Sequence, residues 1–454
     1  MSDMTTPLVD PRDAFLRAGF WHGSIETANA ILAEHPSLRS ADIHLAAILG
    51  DAAAVERFIA DDPSAVRAKS GPRGIDPLTA LCFSVYLQRD TDRSEEFVRA
   101  ARALLDAGAD VDAGFFDETH QPAPERESLL YGAAGVAFNP DLTRLLLERG
   151  ADPNDDEVPY HAPETHDNRA LMVLLESGKL SQESLNMMLL RKTDWHDVEG
   201  VRAILDHGAE VNRMTRWGKT ALHNALISGN GMDIIDLLLD RGADPTIIAP
   251  RPSRGGSDPA FTDRSSVAIA ARRGRGDALD AFRRRGFSME LAGVEELAAA
   301  CAMNDHAAIE RIGRAAPQSV RDLLADGATF LGQFVESANA DGAERLLDLG
   351  VPVDARYRGD GYFGTAPGST ALHVAAWHAR QPLIELFIAR GADVNARDVR
   401  GRTPLMLAVG AATNSYWTWR RTPDGVRALL EAGAETTDIA VPTGYAEIDA
   451  LLAR

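Results

Sequence analysis

The chain has 454 residues, 45% hydrophobic and 25% charged, the balance of an ordinary soluble globular chain. Its formal charge of −20 repels phosphate backbones and argues against nucleic acid as a partner. No run approaches 18 apolar residues, so no membrane-spanning helix is expected, and MSDMTTPLVDPRD lacks the basic and apolar blocks of a leader.

In chain order the sequence divides into short paired helices. The first pair covers about 12–40 (DAFLRAGFWHG, IETANAILAEH) and the second 41–70 (ADIHLAAILGD, AAVERFIADD). Both close on Pro-Ser, Pro36-Ser37 and Pro63-Ser64, where a proline stops the helix. The third opens at Asp76 and ends in Gly108-Ala109-Asp110. The fourth runs from Ser128 to Asn154. The fifth, 155–180, is contracted, because Pro159 and Pro163 leave almost no room for a first helix. The sixth covers 181–213, the seventh 218–247, the eighth 265–290, the ninth 292–322 and the tenth 327–355. The eleventh, 369–398, is the most regular, and the twelfth spans Thr403 to Glu435. Residues 439–454, with GYAEIDALLAR, read as a C-terminal capping helix after a repeat array at 71–438 and divergent units at 1–70.

The eleventh pair carries the clearest signals. Thr370, Leu372 and His373 open a helix, and Ala375 and Ala376 give it a small packing face. Pro382 suits the first turn of the second helix, Leu383, Ile384, Leu386 and Phe387 supply its apolar stripe, and Gly391 ends it. Asp393 and Asn395 follow Ala392. These residues resemble the ankyrin repeat family, with its T-P-L-H opening, A-A pair and G-A-D-x-N ending. Thr220, Leu222, His223, Gly242, Ala243 and Asp244 repeat the match in the seventh pair. By the same resemblance Cys82 and Tyr131 take the histidine slot of the third and fourth pairs, and His44 fills it in a looser match. The implied fold is all-α: one ankyrin-repeat solenoid over 1–454 of stacked helix-loop-helix units, a curved rod with projecting hairpin loops and almost no sheet.

The resemblance implies a binding scaffold for a protein partner, used through its concave groove and long loops. Three joins are long: 114–127 (GFFDETHQPAPERE), 248–264 (IAPRPSRGGSDPAFTDR) and 356–369 (RYRGDGYFGTAPGS). Phe115, Phe116, Tyr357, Tyr362 and Phe363 on them are the aromatic anchors such loops would offer. In the family the two residues after the A-A pair face the groove. Here these are Ile48 and Leu49, Tyr86 and Leu87, Ile227 and Ser228, Arg272 and Arg273, Glu336 and Ser337, and Trp377 and His378. Trp377 is either exposed for a partner or covered by the loop before it.

Residues 251–285 hold nine arginines and four aspartates. Arg272 and Arg273 close an inner helix and are expected to be partly solvated. The six arginines at the two helix ends call for acidic residues of neighbouring units or an anionic ligand. The runner-up reading is therefore an enzyme or a binder of an anionic small molecule, built on the concave face around units eight to eleven. A partner surface would leave the loops splayed; a ligand site would fold them over a titratable group. No nucleophile elbow, phosphate loop or dinucleotide fingerprint is present, so neither catalysis nor a cofactor is expected. His161, His166, Glu164, Asp155, Asp156 and Asp167 cluster in sequence, but their spacing fits a polar proline-broken loop better than a metal site. Cys82 and Cys301 read as buried thiols in a reducing, cytoplasmic setting. Trp417 and Trp419, between the helices of unit twelve, suggest a cap or a dimer contact.

Overall fold

The computed structural model describes residues 10–71, 73–89, 91–121, 123–250, 262–415 and 420–453. The opening residues 1–9, most of the second long join and both Trp417 and Trp419 lie outside them. The chain is an all-α solenoid of helix pairs, divided into two compact units, Met1–Thr215 and Arg216–Arg454.

In the first unit the leading helices of successive pairs stack on one another, Ile43–Ile48 against Pro77–Cys82 and that one against Leu129–Tyr131. The trailing helices Ala52–Asp61, Ser94–Asp106 and Pro140–Glu148 stack in a second layer. Side-chain caps start all of these but Ser94–Asp106: Asp76 accepts from the Thr79 N–H at 2.8 Å and Asn139 from the Leu142 N–H at 2.9 Å. This cap fixes the register of the third pair. Thr79, three residues past the cap, holds the histidine slot, and Cys82 is the residue that ends the helix. Tyr131 does hold that slot, three past the Ser128 cap. The leading helix of the fifth pair also forms, as the short helix Glu157–His161 with Pro159 buried inside it. Pro36 and Pro63 end one helix and start a 3-10 turn, Pro36–Ser40 and Pro63–Arg67, since a proline N–H is not needed at a first turn.

In the second unit the pattern is tighter. Thr220 and His223 cap each other: the Thr220 N–H donates to His223 Nδ1 at 3.3 Å, which leaves Nε2 to donate to the Ile247 carbonyl at 3.0 Å. Thr370 and His373 repeat this, with Nε2 reaching the Arg402 carbonyl at 3.0 Å. Each ring thus ties a helix start to the following join, and burial pushes His223 down to about 4, so it stays neutral and keeps one acceptor nitrogen. Gly391 ends Gln381–Ala389 with φ +81°, where an L side chain would be strained, and the Ala392 N–H returns to the Phe387 carbonyl at 3.0 Å. Leu383, Ile384 and Phe387 are buried, while Leu386 lies half-buried at the edge of the stripe. The helix Ala446–Leu452 closes the chain.

Strand structure among the described residues is confined to the joins. β1 (Gly114–Asp117) and β2 (Glu125–Ser128) form an antiparallel hairpin with Phe115 opposite Glu127 and Phe116 opposite Arg126. β3 (Ile248–Ala249) pairs with β4 (Arg264–Ser265).

Candidate functional site

The twelve groove positions are not free surface. Nine are buried, and Ile227, Ser337 and Trp377 are half-buried. The arginines expected to be partly solvated are buried too. Arg272 pairs with Glu295 at 3.3 Å and Asp326 at 2.9 Å, and lies over the Phe330 ring. Arg273 pairs with Glu336 at 2.9 Å and Asp360 at 3.3 Å, with Phe363 5.0 Å away. Acidic residues of neighbouring units are therefore their partners, and Arg285 follows suit with Asp236 and Asp240. The sequence offered acidic residues of neighbouring units as one of two partners for these arginines, but not their burial nor which acids they meet, because those acids stand 23 to 87 residues away.

The join at 356–369 is folded onto the helices. Tyr357 is buried, and its ring lies where a Cβ on Gly332 would come within 2.9 Å. Trp377 Nε1 donates to the Phe363 carbonyl at 2.7 Å, so the join covers Trp377. His378 is buried, with Nδ1 3.1 Å from Arg420, and burial with the Arg420 and Arg380 charges pushes its pKa down. Glu336 lies under this join. Burial raises its pKa to about 8 even though Arg273 pulls it down, and its Oε1 has no hydrogen-bond partner. Tyr362 is 51% exposed at the tip and Phe363 is half-buried.

The first hairpin divides its aromatics the same way. Phe115 is buried among Phe20, Trp21 and Phe83, with ring centroids 5.0–5.5 Å apart, whereas Phe116 is 58% exposed. Phe116, Ile248, Tyr362, Val399 and Val441 are the exposed large hydrophobics among the described residues, and the first four sit on the joins between pairs. Ile248 and Val399 were not singled out in the sequence; both are lone apolar residues in polar joins, which is the signal that could have found them.

The Glu157–His161 region holds a charged cluster. His161 lies between Glu157 at 3.1 Å and Glu164 at 2.8 Å; burial opposes its charge, the two carboxylates outweigh it, and its pKa is raised to about 9. Arg191 pairs with Glu164 and with Asp194 and stacks 4.1 Å from the Tyr160 ring. Among the described residues no group of three or more His, Cys, Asp or Glu is placed to hold a metal ion. Cys82 and Cys301 are free, buried thiols, and burial pushes Cys301 up to about 12. No helix among the described residues is long and apolar enough to cross a membrane.

The fold and the capped, stacked helix pairs define a helical repeat solenoid whose joins carry four of the five exposed large hydrophobics among the described residues. Models for ankyrin repeats (many copies) match residues 189–239 and 346–408. Mouse 2-5A-dependent ribonuclease is 43% identical over 58 residues, 13% of this chain and 8% of that protein. A fowlpox virus (strain NVSL) protein named for ankyrin repeats is 39% identical over 49 residues, 11% of this chain and 26% of that protein. The chain thus spans a minor part of these relatives. Among solved structures, the ankyrin repeat domain of human ASB11 is 22% identical, covering 67% of this chain and 98% of that one, with a TM-score of 0.24. That of Bcl-3 is 19% identical, covering 53% and 97%, with a TM-score of 0.21. This chain carries ankyrin repeats. Ankyrin repeats are generally protein–protein interaction modules.

Proposed function

We propose that the chain is a non-catalytic scaffold that binds a protein partner through the tips of its inter-repeat joins. One observation carries this: four of the five exposed large hydrophobics among the described residues fall on the joins between pairs, while nine of the twelve groove positions are buried and three half-buried. An apolar side chain exposed on a join is available as an anchor for a partner surface. The charge of −20 supports a protein, with basic character, over nucleic acid. The two free buried thiols support a reducing, cytoplasmic setting. The competing reading, an anionic small molecule on units eight to eleven, draws on one observation, the join folded over Glu336. It has less support, because Arg272 and Arg273 are already engaged with Glu295, Asp326, Glu336 and Asp360.

A photo-crosslinking amino acid placed at Phe116 or at Tyr362 tests the reading in cells. Protein adducts from both tips, and none from the same group at exposed Arg314 on a trailing helix, are expected. Adducts from Arg314 and none from the tips would sink it.

A further inference from the structure

We propose that the inward face of the first hairpin, with Trp21 and Tyr131 beside it, is a docking site for a cationic side chain, an arginine or lysine carried by the partner. This deepens the reading of the joins as partner-binding and rests on it.

The pairing of β1 with β2 places Phe115 directly opposite Glu127, so both side chains share the face turned toward the helices. On that face the rings form a continuous wall: Phe115 meets Trp21 at 5.5 Å, and Trp21 meets Tyr131 edge-on at 6.2 Å. Ring faces carry negative potential and attract cations. The wall already draws one. The exposed Arg73 places its guanidinium 5.2 Å from the Phe115 ring and 5.8 Å from that of Trp21.

Behind the rings the charge does not balance. Glu127 is only 3% exposed, and its Oε2 has no hydrogen-bond partner. Around it stand Asp117 and Glu125 from the two strands, Glu157 and His161 from the helix Glu157–His161, and the Tyr131 phenol. The one cation in that set, His161, is bracketed by Glu157 and Glu164. Arg191 is committed to Glu164 and Asp194, and Arg73 acts on Asp117 from outside. Burial, then Glu157 and Asp117, push Glu127 up to about 8, so near neutral pH it holds a proton where a cation would serve. An unsatisfied buried carboxyl oxygen is costly; Glu336 has one too, but it also has the Arg273 guanidinium at 2.9 Å, whereas no salt bridge reaches Glu127 among the described residues.

Local backbone fits the same use. Tyr131 is followed by a π-helical turn, Gly132–Val136, a departure common at functional sites. Within it Gly135 has no side chain, and a Cβ there would come 2.8 Å from the Tyr131 ring and 2.9 Å from His161. The absence of that atom lets Tyr131 and His161 approach to 5.1 Å between centroids. An organic cation suits this site better than a metal ion, which would ask for several oxygens and gain nothing from rings.

The test is calorimetric titration of the full chain with the peptide acetyl-Gly-Arg-Gly-Arg-Gly-amide, run beside its citrulline counterpart, in two buffers of different ionisation heat. The arginine peptide is expected to bind and the citrulline peptide not. Binding near pH 7 should release about one proton per peptide, because the guanidinium displaces the proton on Glu127, and the release should vanish near pH 9.5. Glu127→Gln should release none and bind about tenfold more weakly. Trp21→Leu, at a half-buried ring, should lose comparable affinity while keeping the proton release, which guards against a misfolded E127Q. No binding by the arginine peptide, or unchanged affinity and proton release in E127Q, overturns the inference. If the peptide fails while tip crosslinks persist, only this inference falls; if both fail, the finger reading falls with it.

Discussion

The two joins that carry aromatic anchors solve one problem in two ways. Each presses an aromatic residue, Phe115 or Tyr357, onto the helices and buries a glutamate beneath, Glu127 or Glu336. At the 356–369 join the glutamate meets a guanidinium 2.9 Å away from Arg273, whose second nitrogen reaches Asp360 on the join itself. At the first hairpin no such cation among the described residues pairs with Glu127, and the neighbouring His161 and Arg191 serve other carboxylates. The first arrangement is locked from within. The second is left short of a positive charge, which a partner can supply.

The sharpest way to break the comparison is to remove the cation from each. Arg273→Ala leaves the buried Glu336 and the Asp360 carboxylate without their shared guanidinium and should cost about 3–5 kcal/mol by urea unfolding. Arg73→Ala removes an exposed cation over rings and should cost under about 1 kcal/mol. Equal costs would mean that the two joins are held alike.

A smaller effect separates them by pH. The folded-state pKa of Glu127, about 8, lies above its ordinary 4.5, so the folded chain binds the proton more tightly. That contribution is complete below about pH 4.5 and is lost as pH rises toward about 8. The melting temperature of wild type should therefore fall relative to Glu127→Gln across this window, with the two curves parallel below it. Curves parallel throughout would show that the carboxyl is not held protonated.

Much of this was legible in advance, and the limits are physical. Thr220, His223, Thr370 and His373 announce their caps because the motif is local, four residues long and decided by hydrogen bonds within one turn. The same locality misled at Cys82: a cysteine after an apolar run resembles the histidine slot until the Asp76 cap fixes the register at Thr79. Arg273 could be suspected from its charge, but Glu336 and Asp360 lie 63 and 87 residues on, and nothing local pairs them. Glu127 was invisible in GFFDETHQPAPERE. Only the hairpin register decides that it, and not Glu125, stands opposite Phe115.

Two smaller effects sharpen the picture. Trp377→Phe removes the 2.7 Å bond to the Phe363 carbonyl and should cost about 0.5–1.5 kcal/mol, with faster amide exchange confined to the 356–369 join. Phe116→Ala and Tyr362→Ala, both at exposed tips, should change stability by less than about 0.5 kcal/mol while reducing partner capture. A large stability loss at either tip would show that it packs within the chain and is not a free anchor.

The most direct test of the difference between the joins is a carbon-13 NMR titration of the glutamate side-chain carboxyls in the full chain, with the Glu127 resonance assigned by its loss in Glu127→Gln. The account predicts that this carboxyl titrates near 8 in the free chain and moves down when the arginine peptide is added. A Glu127 carboxyl that titrates near 4.5, with or without the peptide, would contradict it.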